Sequence, residues 1–220
     1  MVYVSALCHG AVIRYLKETG RPVRIMKETP CLGSAISSHP DLRICRLGGS
    51  GHERALFCGT SELGGTYPEN ARFCAVFLSR YMLHRLDITH ESLLTETKRR
   101  GLTPVHVRQG YTKCSTVVVD GSAVISSDAG ICAAISQLGD VALLSVSPGY
   151  VSLPGFDYGF LGGASGRVGD EIIFNGDLSA HPDHERIRSF IDARGLRLRH
   201  FPGLPLTDVG TIIEYEEDDR

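Results

Sequence analysis

The sequence predicts an α/β fold in which five β-β-α-β units close into a propeller. A strand-turn-strand segment recurs three times without a gap, and each copy is followed by a helix pattern and a further strand pattern. In addition, the two ends of the chain each supply half a unit, so that the N- and C-termini complete one unit between them. Closure leaves no strand edge open, which favours a ring over an open array. We therefore expect a single domain over residues 1–220.

The three clear copies of the repeat cover residues 72–87, 113–128 and 162–177. Each copy combines two short apolar runs with a tight turn, and Asp120-Gly121 in the middle copy is typical of a β-hairpin. An aspartate ends each copy, where its carboxylate is predicted to cap the helix that follows. These three residues are Asp87, Asp128 and Asp177.

Amphipathic patterns predict a helix after each copy and a strand after each helix. The predicted helices are 88–100, 129–138 and 182–194, and the strands are 103–107, 141–146 and 196–201. Pro182 suits the first helical position of the last helix. A glycine follows each helix, as expected for a helix that ends in a left-handed residue; these are Gly101, Gly139 and Gly195.

Two further units are incomplete in the sequence. A hairpin pattern at 42–47 and 54–58 is followed by a glycine-rich stretch, 59–67, where a helix would be expected. The chain ends are predicted to form the fifth unit, from a strand at 2–5, a helix at 6–19 and strands at 23–26 and 209–215.

Composition narrows the functional classes. Of 220 residues, 42% are hydrophobic and 22% are charged, and the net charge of −2 gives no general attraction to nucleic acid or anionic lipid. No apolar run approaches the ~20 residues of a membrane span, and Met1–Gly10 lacks the basic region of a signal peptide. We expect a cytoplasmic protein with a small-molecule ligand, no nucleic-acid or membrane partner and no cofactor. The sequence is compatible with a homo-oligomer as well as with a monomer.

The seven cysteines are an odd number, and no two have the spacing of a zinc ribbon. Buried thiols in a reducing compartment are the simplest interpretation. Cys114 is the candidate nucleophile, because it begins a strand and Lys113 beside it is expected to lower its pKa. The alternative is that Cys114 is one more buried thiol.

Two His-Pro-Asp triplets supply further candidates. The spacing of His39 and Asp41 suits a hydrogen-bonded catalytic pair or two metal ligands, and a metal site completed by Asp208 is a weaker alternative. The second triplet, His181 to Asp183, is also explained as a helix start. Asn70 and Asp208 are expected at the same end of the ring as Cys114, although both also suit turns. The predicted catalytic residues are Cys114, His39, Asp41 and His181, and the predicted substrate-binding residues are Asn70, Lys113 and Asp208.

A ring of five such units resembles the pentein, or guanidino-group-modifying enzyme, fold. The stretches 38–41, 109–115 and 175–183 are similar to an uncharacterised bacterial branch of that superfamily. Penteins include arginine deiminases, dimethylarginine hydrolases, amidinotransferases, agmatine deiminases and a non-catalytic ribosome anti-association factor.

The resemblance implies a cysteine thiolate that attacks a guanidinium carbon, a histidine that relays protons and carboxylates that hold the cation. His181 with Asp183 is similar to the family's His-x-Asp element. The segment that matches the family's nucleophile, 205–213, contains no cysteine. Two hypotheses follow: a hydrolase of small guanidino- or amide-type nitrogen compounds acting through Cys114 at the propeller axis, and a non-catalytic module that binds a ligand or partner.

Overall fold

The computed structural model describes residues 1–48, 54–59 and 62–215. This part of the chain is mixed α/β, with fourteen short strands in five small sheets and four α-helices. The helices are α1 (Gly10–Glu18), α2 (Glu91–Arg99), α3 (Ala129–Ser136) and α4 (His184–Asp192). The strands are β1 (Val2–Val4), β2 (Val23–Ile25), β3 (Ile44–Leu47), β4 (Arg54–Phe57), β5 (Val76–Phe77), β6 (Tyr81–His84), β7 (Thr103–His106), β8 (Thr116–Asp120), β9 (Ala123–Ser126), β10 (Ala142–Ser145), β11 (Ser165–Val168), β12 (Glu171–Phe174), β13 (Arg197–Arg199) and β14 (Ile213–Glu214).

The three clear repeats share one topology. In each sheet the first two strands are antiparallel, and the third is parallel to the second after a helical connection. The first and third copies also share a register, because Val76 pairs with Leu83 and Gly166 with Ile173. In the middle copy the pairing is displaced by one residue beside a bulge between Val118 and Asp120.

The two ends of the chain meet in one sheet of order β14-β1-β2. Strand β1 is antiparallel to β14 and parallel to β2, with α1 between β1 and β2, so this sheet repeats the order of the other three-stranded sheets. The N-terminal amine of Met1 donates to the carbonyl of Tyr215 at 3.0 Å, and the rings of Tyr3 and Tyr215 stack 5.5 Å apart. The remaining sheet contains only β3 and β4.

Neighbouring sheets touch through their first strands: β11 contacts β8 and β14, and β3 contacts β5 and β14. A cavity of about 350 Å³ is lined by these strands and by the residues next to them. The helices pack apolar faces on the sheets, as when Ile187 and Ile191 of α4 join a buried cluster with Ile125 and Phe174. No helix within the described residues combines the length and apolarity that crossing a membrane requires.

The helix starts differ from the prediction. Asp128 caps α3, since its Oδ1 accepts from the N–H of Ile131 at 2.8 Å. Asp87 instead pairs with Arg85, and α2 begins later, after His90. The reason is that the connection between strand and helix is longer in this copy.

The same lengthening occurs in the third copy. Asp177 accepts from the backbone N–H of Ser179 in the turn that follows it and from that of the distant Gly203. Helix α4 begins at His184, so that Pro182 precedes the helix. The glycines after the three helices have φ values of 65°, 71° and 70°, which confirms the predicted left-handed endings; they are Gly101, Gly139 and Gly195.

The closing strand is shorter than predicted, because the residues before β14 pair outside a regular ladder. The N–H groups of Val209 and Thr211 both donate to the carbonyl of Gly163, and that of Ile212 donates to Ser165. The glycine-rich stretch 59–67 forms no α-helix among its described residues; residues 60 and 61 lie outside them. The end of the acidic tail, 216–220, also lies outside the described residues.

Candidate active site

Two distant segments meet where the chain closes. The N–H of Asp41, in the turn Pro40–Leu42, donates to the carbonyl of Gly210 at 3.1 Å. A Cβ at Gly210 would lie 2.2 Å from the Cβ of His39, and the φ of Gly210 is 71°. Only glycine permits this approach, which brings His39 and Asp41 against Asp208 and Thr211.

A third segment adds Cys114. The carbonyl of Cys114 accepts from the N–H of Gly163 at 2.7 Å, and a Cβ on Gly163 would lie 2.0 Å from Oδ1 of Asp208. Here the missing side chain lets the backbone of Gly163 fit between Cys114 and Asp208.

The side chains converge in a buried cluster. Cys114 Sγ donates to Asp41 Oδ2 at 2.8 Å, and Thr211 Oγ1 donates to the same oxygen at 2.8 Å. His39, Cys114 and Asp208 each place a nitrogen, sulfur or oxygen atom within 4.8 Å of the other two. None of these five residues is more than 3% exposed. Four residues predicted from sequence for a site therefore do meet: His39, Asp41, Cys114 and Asp208.

Two polar atoms in the cluster have no hydrogen-bond partner among the described residues. They are His39 Nε2 and Asp41 Oδ1. The carboxylate of Asp208, by contrast, accepts from the N–H groups of Phe160 at 2.9 Å and Gly210 at 3.0 Å. Leaving a buried polar atom unpaired costs free energy, so such atoms in a native fold call for a specific explanation, and a bound ligand is one.

The resting cluster holds a protonated thiol. Its hydrogen bond with Cys74, whose Sγ lies 3.9 Å away, raises the pKa of Cys114 well above its usual value, and so do burial and the negative charges of Asp41 and Asp208. Burial also raises the pKa of Asp208, while the nearby His39 opposes that rise. The expectation that Lys113 would lower the pKa of Cys114 is not met, because burial and carboxylate charge dominate.

Lys113 and Asn70 lie beside the cluster. Lys113 Nζ donates to the carbonyl of Thr116 at 3.3 Å, and burial lowers the pKa of Lys113 while the charge of Asp41 raises it. Asn70 Oδ1 accepts from the hydroxyl of Tyr111 at 2.8 Å. Burial raises the pKa of Tyr111 to about 12, and the nearby thiols of Cys74 and Cys114 add to the rise.

His181 has other neighbours. Its Nδ1 accepts from the N–H of Asp183 at 3.1 Å, and its ring lies 5.2 Å from that of Tyr150. Asp183 accepts from the N–H of Ser147 and pairs with Arg186. It is also the residue at the start of α4, as the helix-start interpretation expects, although its side chain bonds to no N–H of that helix. His39, not His181, is thus the histidine that joins Cys114.

A second cavity lies at the surface beside the cluster. Its volume is about 470 Å³, and its lining combines carboxylates with aromatic rings; it includes Gln109, Asp128, Phe156, Asp157, Tyr158 and Phe160. Phe160 also packs against the buried apolar cluster that contains Cys114. The ring of Phe160 therefore contacts both the surface cavity and the apolar cluster that includes Cys114.

Comparison with known proteins places the chain in a family. Residues 50–213 match a family of unknown function, DUF6873. The chain belongs to this family. A search of curated proteins finds no match.

The fold of this DUF6873 protein is similar to that of a dimethylarginine dimethylaminohydrolase, solved as the adduct with 4-chloro-2-hydroxymethylpyridine. The TM-score is 0.53, with 10% sequence identity over 90% of each chain. Dimethylarginine hydrolases are among the penteins, so the resemblance inferred from the repeats is confirmed at the level of the fold.

The donor atoms of the DUF6873 cluster also include the types that bind zinc: an imidazole nitrogen, a thiol and carboxylates. Most of these donor atoms already have protein partners. The carboxylate of Asp208 accepts hydrogen bonds from two backbone N–H groups, and that of Asp41 accepts one from the thiol of Cys114. These contacts fit a proton-bearing cluster better than they fit a metal site.

Sequence reasoning did not identify Thr211 as part of the site. It has a φ of 70°, a conformation that is costly for a β-branched residue and often marks functional sites. The sequence feature that could have identified Thr211 is its place in residues 205–213, the segment that matches the family's nucleophile. Cys74, Tyr111 and Phe160 were also missed, and nothing in the sequence around Phe160 indicates that it contacts both the surface cavity and the apolar cluster that includes Cys114.

Proposed function

We propose that this DUF6873 protein is a hydrolase that acts on a small guanidino- or amide-type nitrogen compound, with Cys114 as the nucleophile. One observation carries the proposal: His39, Cys114 and Asp208 place reactive atoms within 4.8 Å of one another, while His39 Nε2 and Asp41 Oδ1 have no partner in the described structure. A nucleophile, a base and carboxylates are the groups that this chemistry needs.

A guanidinium ion complements the charges of the cluster. Two carboxylates can hold a planar cation by charge-assisted hydrogen bonds, and Asp41 Oδ1 is available as an acceptor. The bound positive charge would also offset the negative charges that raise the pKa of Cys114. In this proposal substrate binding itself promotes formation of the thiolate.

The proposed reaction has two steps. His39 Nε2 takes the proton of Cys114, and the thiolate sulfur forms a bond to the central carbon of the substrate. The bond from that carbon to its leaving nitrogen breaks, and the protonated His39 returns the proton to the departing amine. Water then attacks the covalent adduct, the carbon–sulfur bond breaks, and the Cys114 thiol is restored.

Substrate would enter past Phe160. The surface cavity on the outer side of that ring has the carboxylates of Asp128 and Asp157 beside the rings of Phe156 and Tyr158. Carboxylates and aromatic faces both attract cations. The lining therefore supports a cationic substrate, whose arrival requires that Phe160 move.

We also propose that the five sheets form one closed propeller spanning a single domain. The contacts between first strands and the shared cavity support this arrangement. All seven cysteines are free thiols, which supports a reducing, cytoplasmic location. Asn70 and Lys113 remain candidates for substrate contacts, and His181 for a more distant role. A small molecule is the proposed partner, without nucleic acid or membrane.

A ligand-binding module without catalysis is the second candidate. The observations that favour it are the raised pKa of Cys114, which keeps the thiol protonated at rest, and the absence of cysteine from residues 205–213. In this alternative the cluster would hold a cation without attacking it.

The test is a turnover assay on a panel of guanidines and primary amides, which measures release of ammonia or amine. The proposal predicts that Cys114→Ser reduces turnover by more than about 10³-fold, because the nucleophile is lost. Cys132→Ser is the control, since this partly exposed thiol lies outside the cluster and should leave turnover within about twofold. Binding of a panel member without turnover, and with equal affinity in Cys114→Ser, would favour the binding module instead.

A further inference from the structure

The cavity between the first strands is lined by cationic side chains. They are Arg46, Lys113 and Arg167. The one acidic residue in its lining, Asp120, is held by Arg194 at 2.6 Å and by the N–H of Ser122. The hydrogen bonds of Arg167 and Lys113 go to the carbonyls of Gly169, Val119 and Thr116, which are neutral acceptors.

These positive charges affect one another. Burial lowers the pKa of Arg46 to about 10, and the charge of Arg167 adds to that effect while Glu214 opposes it. Glu214 itself is engaged by Arg21 at 2.6 Å and by the N–H of Gly169 at 2.6 Å. Arg46 also contributes to the lowered pKa of Lys113. A negative charge beside Arg167 and Lys113, whose hydrogen bonds go to neutral carbonyls, would relieve this repulsion.

We propose that this axial cavity binds a small anion bearing phosphate or carboxylate groups. Guanidinium groups match both kinds of oxyanion with paired N–H donors, and the volume of about 350 Å³ falls in the range of small-molecule pockets. The ligand is opposite in charge to the proposed substrate of Cys114. The site therefore goes beyond the proposed hydrolase activity.

This axial cavity, between the first strands, shares no lining residue with the surface cavity beside Phe160. Its lining includes Ser79 and Gly121, which lie in hairpin turns, and also Lys113 and Thr211. Thr211 also donates to Asp41 in the buried cluster. The anion would thus bind next to Thr211, in a cavity whose lining does not include Cys114.

The experiment is calorimetric titration of the full-length protein with inorganic pyrophosphate and, separately, with citrate, in low-salt buffer. Arg167→Gln is expected to weaken binding of the preferred anion at least tenfold, because it removes a donor fork and a charge. Arg14→Gln makes the same chemical change at an exposed position of α1 and should leave binding unchanged. Raising the ionic strength should weaken binding to the wild-type protein.

The two probes also distinguish phosphate from carboxylate recognition, since the tighter ligand identifies the preferred group. If Arg167→Gln fails to fold, Arg167→Lys keeps the charge but loses the fork, and it should weaken binding several-fold. The proposal is overturned if neither probe binds the wild-type protein at millimolar concentration, or if a folded Arg167 variant binds as the wild type does. Neither readout uses Cys114, so failure here would leave the hydrolase proposal unaffected.

Discussion

Asp41 is the residue on which the cluster depends. One of its oxygens accepts both the thiol of Cys114 and the hydroxyl of Thr211, and the other has no partner in the described structure. Because its negative charge stabilises the protonated thiol, the charge state of Cys114 is set by a residue 73 positions away in the sequence.

Asp41→Asn is therefore expected to lower the pKa of Cys114. The measurement is the rate of Cys114 alkylation by iodoacetamide against pH, with the labelled peptide quantified by mass spectrometry. The half-maximal rate should move to lower pH than in the wild-type protein. Asp87→Asn makes the same change at an exposed ion pair with Arg85 and should leave the profile unchanged. A profile that stays in place or moves to higher pH in Asp41→Asn would contradict the electrostatic argument.

At this scale the sequence could predict residue types but not their partners. His39 and Asp41 were recognisable from the His-Pro-Asp spacing, and Cys114 and Asp208 from predicted strand starts that the repeats align. The choice of His39 over His181 depends on how residues 39–41 pack against 208–211, which no local pattern encodes. The same holds for Thr211, since its role rests on a positive φ.

Among the elements, the three repeats show how similar sequences can start helices differently. Asp128 and Asp87 occupy equivalent positions in the aligned copies, yet only Asp128 caps a helix. The pattern predicted that a helix follows each hairpin, but α2 begins after His90, whose Nδ1 accepts from the N–H of Ser92 in place of the expected Asp87 cap.

This difference predicts that replacing aspartate by alanine reduces the free energy of unfolding more at position 128 than at position 87. Asp128→Ala should reduce the free energy of unfolding by about 1 kcal/mol, the usual effect of losing a helix cap. Asp87→Ala removes an exposed, solvent-screened ion pair and should cost clearly less than Asp128→Ala does. Urea denaturation of both variants measures the two losses of free energy of unfolding. Equal costs would mean that the Asp128 cap does not stabilise α3.

The loop between β10 and β11 is the element that covers the site. Phe160→Ala should make Cys114 accessible to a thiol reagent, because the Phe160 ring contacts both the surface cavity and the apolar cluster that includes Cys114. We expect the alkylation rate of Cys114 to rise at least tenfold. Phe156→Ala removes an exposed ring from the same loop and should change the rate little. If Phe160→Ala leaves the rate unchanged, substrate does not enter by this path.

At the scale of the whole molecule, one sheet joins the two ends of the chain. Val2 pairs with Glu214, and the apolar cluster around this contact includes Tyr3, Ile213 and Tyr215. The sequence predicted this joining because each end carries half a repeat. It overestimated the closing strand, because residues 209–212 bond instead to Gly163 and Ser165, whose proximity arises only in the folded chain.

Ile213→Ala is therefore expected to reduce the free energy of unfolding by about 2–5 kcal/mol, as for other buried isoleucines truncated to alanine. Ile25 lies in the same sheet but is exposed, and Ile25→Ala should cost about 0.5 kcal/mol or less. Thermal or urea unfolding distinguishes the two. A small loss in Ile213→Ala would show that the joining of the chain ends adds little to stability.

The central claim is that Cys114 forms a covalent bond to the substrate carbon. The most direct measurement is mass spectrometry of enzyme quenched by acid during turnover of an active guanidine or amide. The account predicts an adduct on the peptide that contains Cys114, of the mass of the substrate without its leaving amine, and no adduct in Cys114→Ser. Turnover without an adduct on Cys114, or with the adduct on another residue, would contradict it.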